Sequence, residues 1–79
     1  MNQTAYLAAL REALKRYPWA GNPEKLDRYM GRVEDGIASD KYRGGAGFEY
    51  DGPASVAAWR AIGGKGKPSL AALRALPVA

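Results

Sequence analysis

The segment Ile62-Gly63-Gly64-Lys65-Gly66-Lys67-Pro68-Ser69 places three glycines and two lysines immediately before a Pro-Ser pair that can open a helix. Flexible backbone amides, ammonium groups and the positive end of a helix dipole all favour a bound anion. The charge distribution points the same way. All eight carboxylates precede Gly52, while residues 53 to 79 contain Arg60, Lys65, Lys67 and Arg74 and no acid. The net charge of +4 therefore resides in the C-terminal third, and a one-sign patch raises encounter rates with an oppositely charged partner. These four cations, with Lys41, Tyr42 and Arg43 beside the glycine run at 44–47, are the candidate partner-binding residues. A plainer account also fits: the glycines let the chain reverse between two helices, and the lysines keep the turn solvated.

Other chemistry is restricted by what the chain lacks. It has no cysteine and no histidine, which removes disulfides, thiolate nucleophiles and the usual zinc ligands. It also removes the one side chain that titrates unperturbed near neutrality. Only Ser, Thr, Lys, Tyr and carboxylates remain for catalysis, so the expectation is a binding protein without metal or cofactor. A nucleotide P-loop is excluded by spacing: Gly66-Lys67 is followed by Pro68, which cannot supply the magnesium-binding hydroxyl, and the preceding element is helical.

The elements that must position the loop are legible as apolar periodicities. Tyr6, Leu7, Leu10, Leu14 and Tyr17 predict a first helix from Thr4, as its cap, to Tyr17, with Pro18 ending it. Tyr17-Pro18-Trp19-Ala20-Gly21 predicts a turn whose aromatic pair closes the core. Asn22-Pro23 predicts a cap and first-turn proline for a second helix ending near Ala38. Its stripe is Leu26, Tyr29, Met30, Val33 and Ile37, and Glu24 and Arg28 stand one turn apart as a potential ion pair. The two helices are expected to form an antiparallel hairpin. Lys41-Tyr42-Arg43 and Phe48-Glu49-Tyr50 flank a glycine run and read as a short β-hairpin at 41–50 or as a loop. Val56, Trp59 and Ile62 predict a third helix stopped by Gly63, with Trp59 as its core anchor. Leu70, Leu73 and Leu76 predict a last helix facing inward and ending before Pro77.

The fold class expected is therefore mainly α, a single helical domain over residues 1–79. At 79 residues a single core leaves only about 3–5 kcal/mol of stability, and a homodimer is the expected means of completing it. Met1-Asn2-Gln3-Thr4 carries no basic leader, and no apolar run approaches the ~20 residues that span a bilayer. A cytoplasmic protein without membrane contact is expected. A pI near 9.6 favours acidic partners.

Ile62-Gly63-Gly64-Lys65-Gly66 between two helices resembles the GxxG loop of KH domains. That resemblance implies contact of Lys65 and the glycine amides with a single-stranded nucleic-acid backbone. In KH domains the next helix starts its apolar spacing directly, whereas Lys67-Pro68-Ser69 delays Leu70 and Leu73 by one residue. A helix-turn-helix reading of 54–76 puts Trp59 where a small residue belongs. It leaves Arg74 as the one outward side chain able to make a bidentate base contact.

Tyr17-Pro18-Trp19 and Ala58-Trp59-Arg60-Ala61-Ile62-Gly63-Gly64-Lys65-Gly66-Lys67-Pro68 look like phrases of short proteins encoded by phages and prophages. Small phage proteins of this kind include anti-CRISPR inhibitors, which occlude a surface of the host's nucleoprotein machinery without catalysis. The resemblance implies a host protein or nucleoprotein complex as partner, in the host cytoplasm, and assigns no role to any residue. Sequence-tolerant nucleic-acid binding through the basic loop is the alternative.

Overall fold

The structure, a computed structural model, describes residues 1–38, 50 and 52–79. Among these the protein is mainly α. Helix α1 runs Gln3–Leu14, a 3-10 turn covers Pro18–Gly21, and α2 runs Pro23–Ala38; α3 (Pro53–Ala61) and α4 (Leu70–Ala75) follow. The expected hairpin or loop at 41–50 lies outside the described residues except for Tyr50. No described helix is long and apolar enough to cross a membrane.

Helix α1 begins at Gln3, earlier than the sequence indicated, because Asn2 caps it: its side-chain oxygen accepts from the Ala5 amide at 2.7 Å. The freed amides at the helix start are met by the far end of the chain. Gln3 N donates to Pro77 O at 2.7 Å, Thr4 N to Val78 O at 3.1 Å, and the Thr4 hydroxyl to Val78 O at 2.7 Å. Thr4 is thus a clasp rather than a cap. Asn22 caps α2 as expected, accepting from the amides of Glu24 and Lys25 at 3.0 and 3.2 Å.

The core unites Tyr6, Leu10 and Leu14 of α1, Leu26, Met30, Val33 and Ile37 of α2, and Leu70 and Leu73 of α4. Helix α1 packs most extensively against α3 and less against α2. The face that α3 turns inward is Ala54, Ser55 and Ala58, not the Val56-Trp59-Ile62 stripe, whose members are half-buried. Small residues let two helices approach closely, and the bulk comes from the other side: Tyr6 is fully buried there. Its hydroxyl lies 2.7 Å from Ser55 Oγ, which donates to Tyr50 O at 2.6 Å. Since serine has one proton and a carbonyl only accepts, Tyr6 is the donor to Ser55. Among the described residues the large apolar side chains left exposed are Met1 and Val78, at the two chain ends. The expected homodimer draws no support from this core.

Candidate functional site

Helix α3 ends in paired reverse hydrogen bonds. Gly64 N donates to Trp59 O at 2.8 Å and Gly63 N to Arg60 O at 3.0 Å, with Gly63 at φ +98°. This is a Schellman stop, which a residue with a Cβ would strain. The chain turns again at Gly66, φ +67°. Between the two turns the indole of Trp59 folds back over the loop. Its Nε1 donates to Lys65 O at 3.1 Å, and the ring occupies the space a Cβ on Gly64 would need. Pro68 is buried beyond, and Ser69 caps α4 by accepting from the Ala72 amide at 3.1 Å. The loop is held at both ends, with Lys65 and Lys67 exposed.

This geometry revises the anion-cradle expectation. The amides of Gly63 and Gly64 are consumed by α3, and Ala72, in the first turn of α4, by Ser69. What the loop still offers a partner is the Gly66 amide and a pair of lysine side chains on a fixed backbone. Arg60 is exposed in the last turn of α3 and extends the same sign of charge. Arg74 does not point outward as the helix-turn-helix reading required. It is half-buried, and its guanidinium donates to Gly36 O at 2.8 Å and Ile37 O at 3.1 Å. Helix α2 has no basic residue in its own last turn, so Arg74 supplies from α4 the cation that the negative helix end favours. Lys41, Tyr42 and Arg43 lie outside the described residues.

A second surface was not among the sequence candidates. Trp19, Lys25, Arg28, Tyr29 and Arg32 line a cavity of about 400 Å³ between the 3-10 turn and α2. Trp19 and Tyr29 meet at 5.3 Å between ring centroids with a 41° tilt, and Tyr17 stacks on Trp19 at 6.1 Å and 7°. The sequence did carry a signal: residues 25, 28, 29 and 32 fall within about 100° of a helix circumference. Two other expectations obscure it: an aromatic pair that closes the core, against which Tyr17 and Trp19 do pack, and an ion pair of Arg28 with Glu24. The cross-element ion pair of α2 is instead Asp27 with Arg11 of α1, at 2.9 Å.

Among the described residues no group of three or more metal-ligating side chains comes together. The two surfaces present cations, hydrogen-bond donors and aromatic rings. Comparison with protein families, with curated proteins and with solved structures finds no match for this chain.

Proposed function

We propose that this chain is a non-catalytic binding protein that occludes an acidic surface of a host macromolecular complex. The observation that carries the reading is the fixed loop after α3, which exposes Lys65 and Lys67 on a backbone held by Trp59 and the Gly63-Gly64 stop. Lysines on a backbone already held lose less freedom on docking than lysines on a mobile loop, so more of their electrostatic attraction is retained. The acid-free C-terminal third supports an acidic partner. The phage-like phrases around Trp19 and Trp59 support a nucleoprotein target of the CRISPR type, in the host cytoplasm.

The test is a salt series of binding to candidate host nucleoprotein complexes for wild type and Lys65→Glu/Lys67→Glu. Both lysines are exposed, so the double variant stays within about 0.5 kcal/mol of wild-type stability. Partner engagement is expected to fail, chiefly through slower association. Unchanged affinity would remove the loop from the interface. Binding of the loop to free nucleic acid, steeply weakened by salt and abolished by the same variant, would replace occlusion with direct nucleic-acid binding.

A further inference from the structure

We propose that the cavity between the 3-10 turn Pro18–Gly21 and α2 is a nucleotide site, taking an unstacked base of a single strand against Trp19 and Tyr29 and its flanking phosphates on Lys25, Arg28 and Arg32. The lining of the site shares no residue with the lysine loop, and the proposal does not rest on that loop.

Three observations carry the assignment. Trp19 and Tyr29 are half-buried rather than sealed in the core, so each keeps ring surface at the wall of the cavity. Bases stack on such rings whatever their identity, because every base has a π-face. The three cations are exposed, line the same cavity and have no ion-pair partner among the described residues. Asp27, the acid lying between them in sequence, is turned to α1, where Arg11 neutralises it. Finally, the dimensions suit one nucleotide and its neighbours. The volume of about 400 Å³ falls within the range of roughly 300–1,000 Å³ typical of small-ligand sites. From Lys25 to Arg32 the helix advances about 10 Å, which spreads the three cations over the length of a nucleotide and its neighbours, enough to meet about two or three phosphates.

An acidic peptide would satisfy the cations but leave the aromatic wall without a stacking partner, which is why a nucleotide is preferred. The shared chemistry of a free mononucleotide and a strand is separated by using both. Adenosine 5′-monophosphate is titrated while the two indole N–H resonances are followed, and a short labelled oligodeoxythymidylate is titrated by fluorescence anisotropy across a salt series. The Trp19 resonance is expected to move while that of Trp59 stays. The oligonucleotide is expected to bind more tightly than the mononucleotide, with a slope of log K against log salt of about −1.4 to −2.1. Arg28→Glu/Arg32→Glu alters only exposed side chains and is expected to weaken oligonucleotide binding by at least about tenfold and to flatten the slope. Trp19→Ala is expected to weaken it roughly 5- to 150-fold, and the arginine pair decides the matter if that variant folds poorly. Unchanged affinity and slope in Arg28→Glu/Arg32→Glu would overturn the proposal. So would a response confined to Trp59, or oligoglutamate that competes as well as the nucleotide.

Discussion

The indole of Trp59 donates to the carbonyl of Lys65 at 3.1 Å while its ring lies where a side chain on Gly64 would be. The two contacts depend on each other, since the ring can reach Lys65 only if residue 64 leaves its space empty. Gly64→Ala is therefore expected to expel the indole and cost about 1–3 kcal/mol. In a Trp19→Phe background the emission of Trp59 would shift to longer wavelength. Gly66→Ala meets no neighbouring atom and strains only its backbone, at φ +67°, with an expected cost of about 1–2 kcal/mol and no change in emission. Equal spectra for the two variants would show that the indole is not held by residue 64.

Trp59→Ala follows from the same contact. A fully buried tryptophan costs about 3–5 kcal/mol to truncate, but Trp59 is half-buried, packing on the edge of the core while its indole N–H holds the loop. The melting temperature is expected to fall by less than that range implies, with the main loss in amide-exchange protection at Gly63 and Gly64, whose amides donate to Arg60 O and Trp59 O. Unfolding of the whole domain would restore Trp59 as the core anchor that the sequence indicated.

Arg74 serves the fold, and its substitution separates it from the other cations. Arg74→Met keeps the stem and removes the bonds to Gly36 O and Ile37 O. Hydrogen bonds to a charged group contribute about 1.5–3 kcal/mol, so a destabilisation of about 2 kcal/mol is expected in denaturant titration. Arg60→Glu and Lys67→Glu, both at exposed positions, should change stability by no more than about 0.5 kcal/mol. Equal effects at all three would contradict the capping role.

Where sequence reading succeeded, bulky residues carried the period, and where it failed the decisive partner was small or distant. Leu26, Met30, Val33 and Ile37 announce the buried face of α2 because each is large and apolar. The buried face of α3 is Ala54, Ser55 and Ala58, residues too small to stand out against Val56, Trp59 and Ile62. Asn2 and Thr4 can both cap a helix, asparagine somewhat better. The start at Gln3 is reinforced by the carbonyls of Pro77 and Val78, more than seventy residues away, which accept from Gln3 and Thr4. Arg74 looked like a surface cation because nothing local reveals that α2 ends without one of its own. The lysine loop was legible as a turn, from its glycines, but the indole that fixes it depends on a rotamer of Trp59. The cavity on α2 needed the position of Trp19, which is set by the turn at Pro18 rather than by any helical spacing.

The clasp between the chain ends has its own test. Removing residues 77–79 leaves the Gln3 and Thr4 amides and the Thr4 hydroxyl without their carbonyl partners. Water can replace part of that loss at so open a site, and the expected cost is about 1 kcal/mol per direct bond lost at most. Amide exchange at the start of α1 should accelerate well before exchange at Leu10, which is buried. Uniform acceleration along α1 would mean that the clasp supports the whole domain instead of one helix end.

Tyr6 ties stability to alkaline pH. Burial pushes its hydroxyl from the usual 10.0 up to about 12, since the phenolate would lose its hydration inside the core. Between these two values the unfolded chain has released the proton and the folded chain retains it. The unfolded state then binds fewer protons, so stability falls as pH rises through that window, whereas below pH 10 the contribution is complete. The loss by pH 12 is on the order of 2–3 kcal/mol. Tyr6→Phe removes this titration but also removes the donor to Ser55, whose own proton still reaches Tyr50 O. At neutral pH the variant is expected to be less stable than wild type by about 1 kcal/mol. Every other side chain is common to the two proteins, so the difference between them isolates Tyr6. Urea titrations at pH 7 and at pH 12 should therefore show the order reversed, with Tyr6→Phe the more stable at the higher pH. A difference that stays constant across that range would mean that Tyr6 ionises as freely in the folded chain as in the unfolded one.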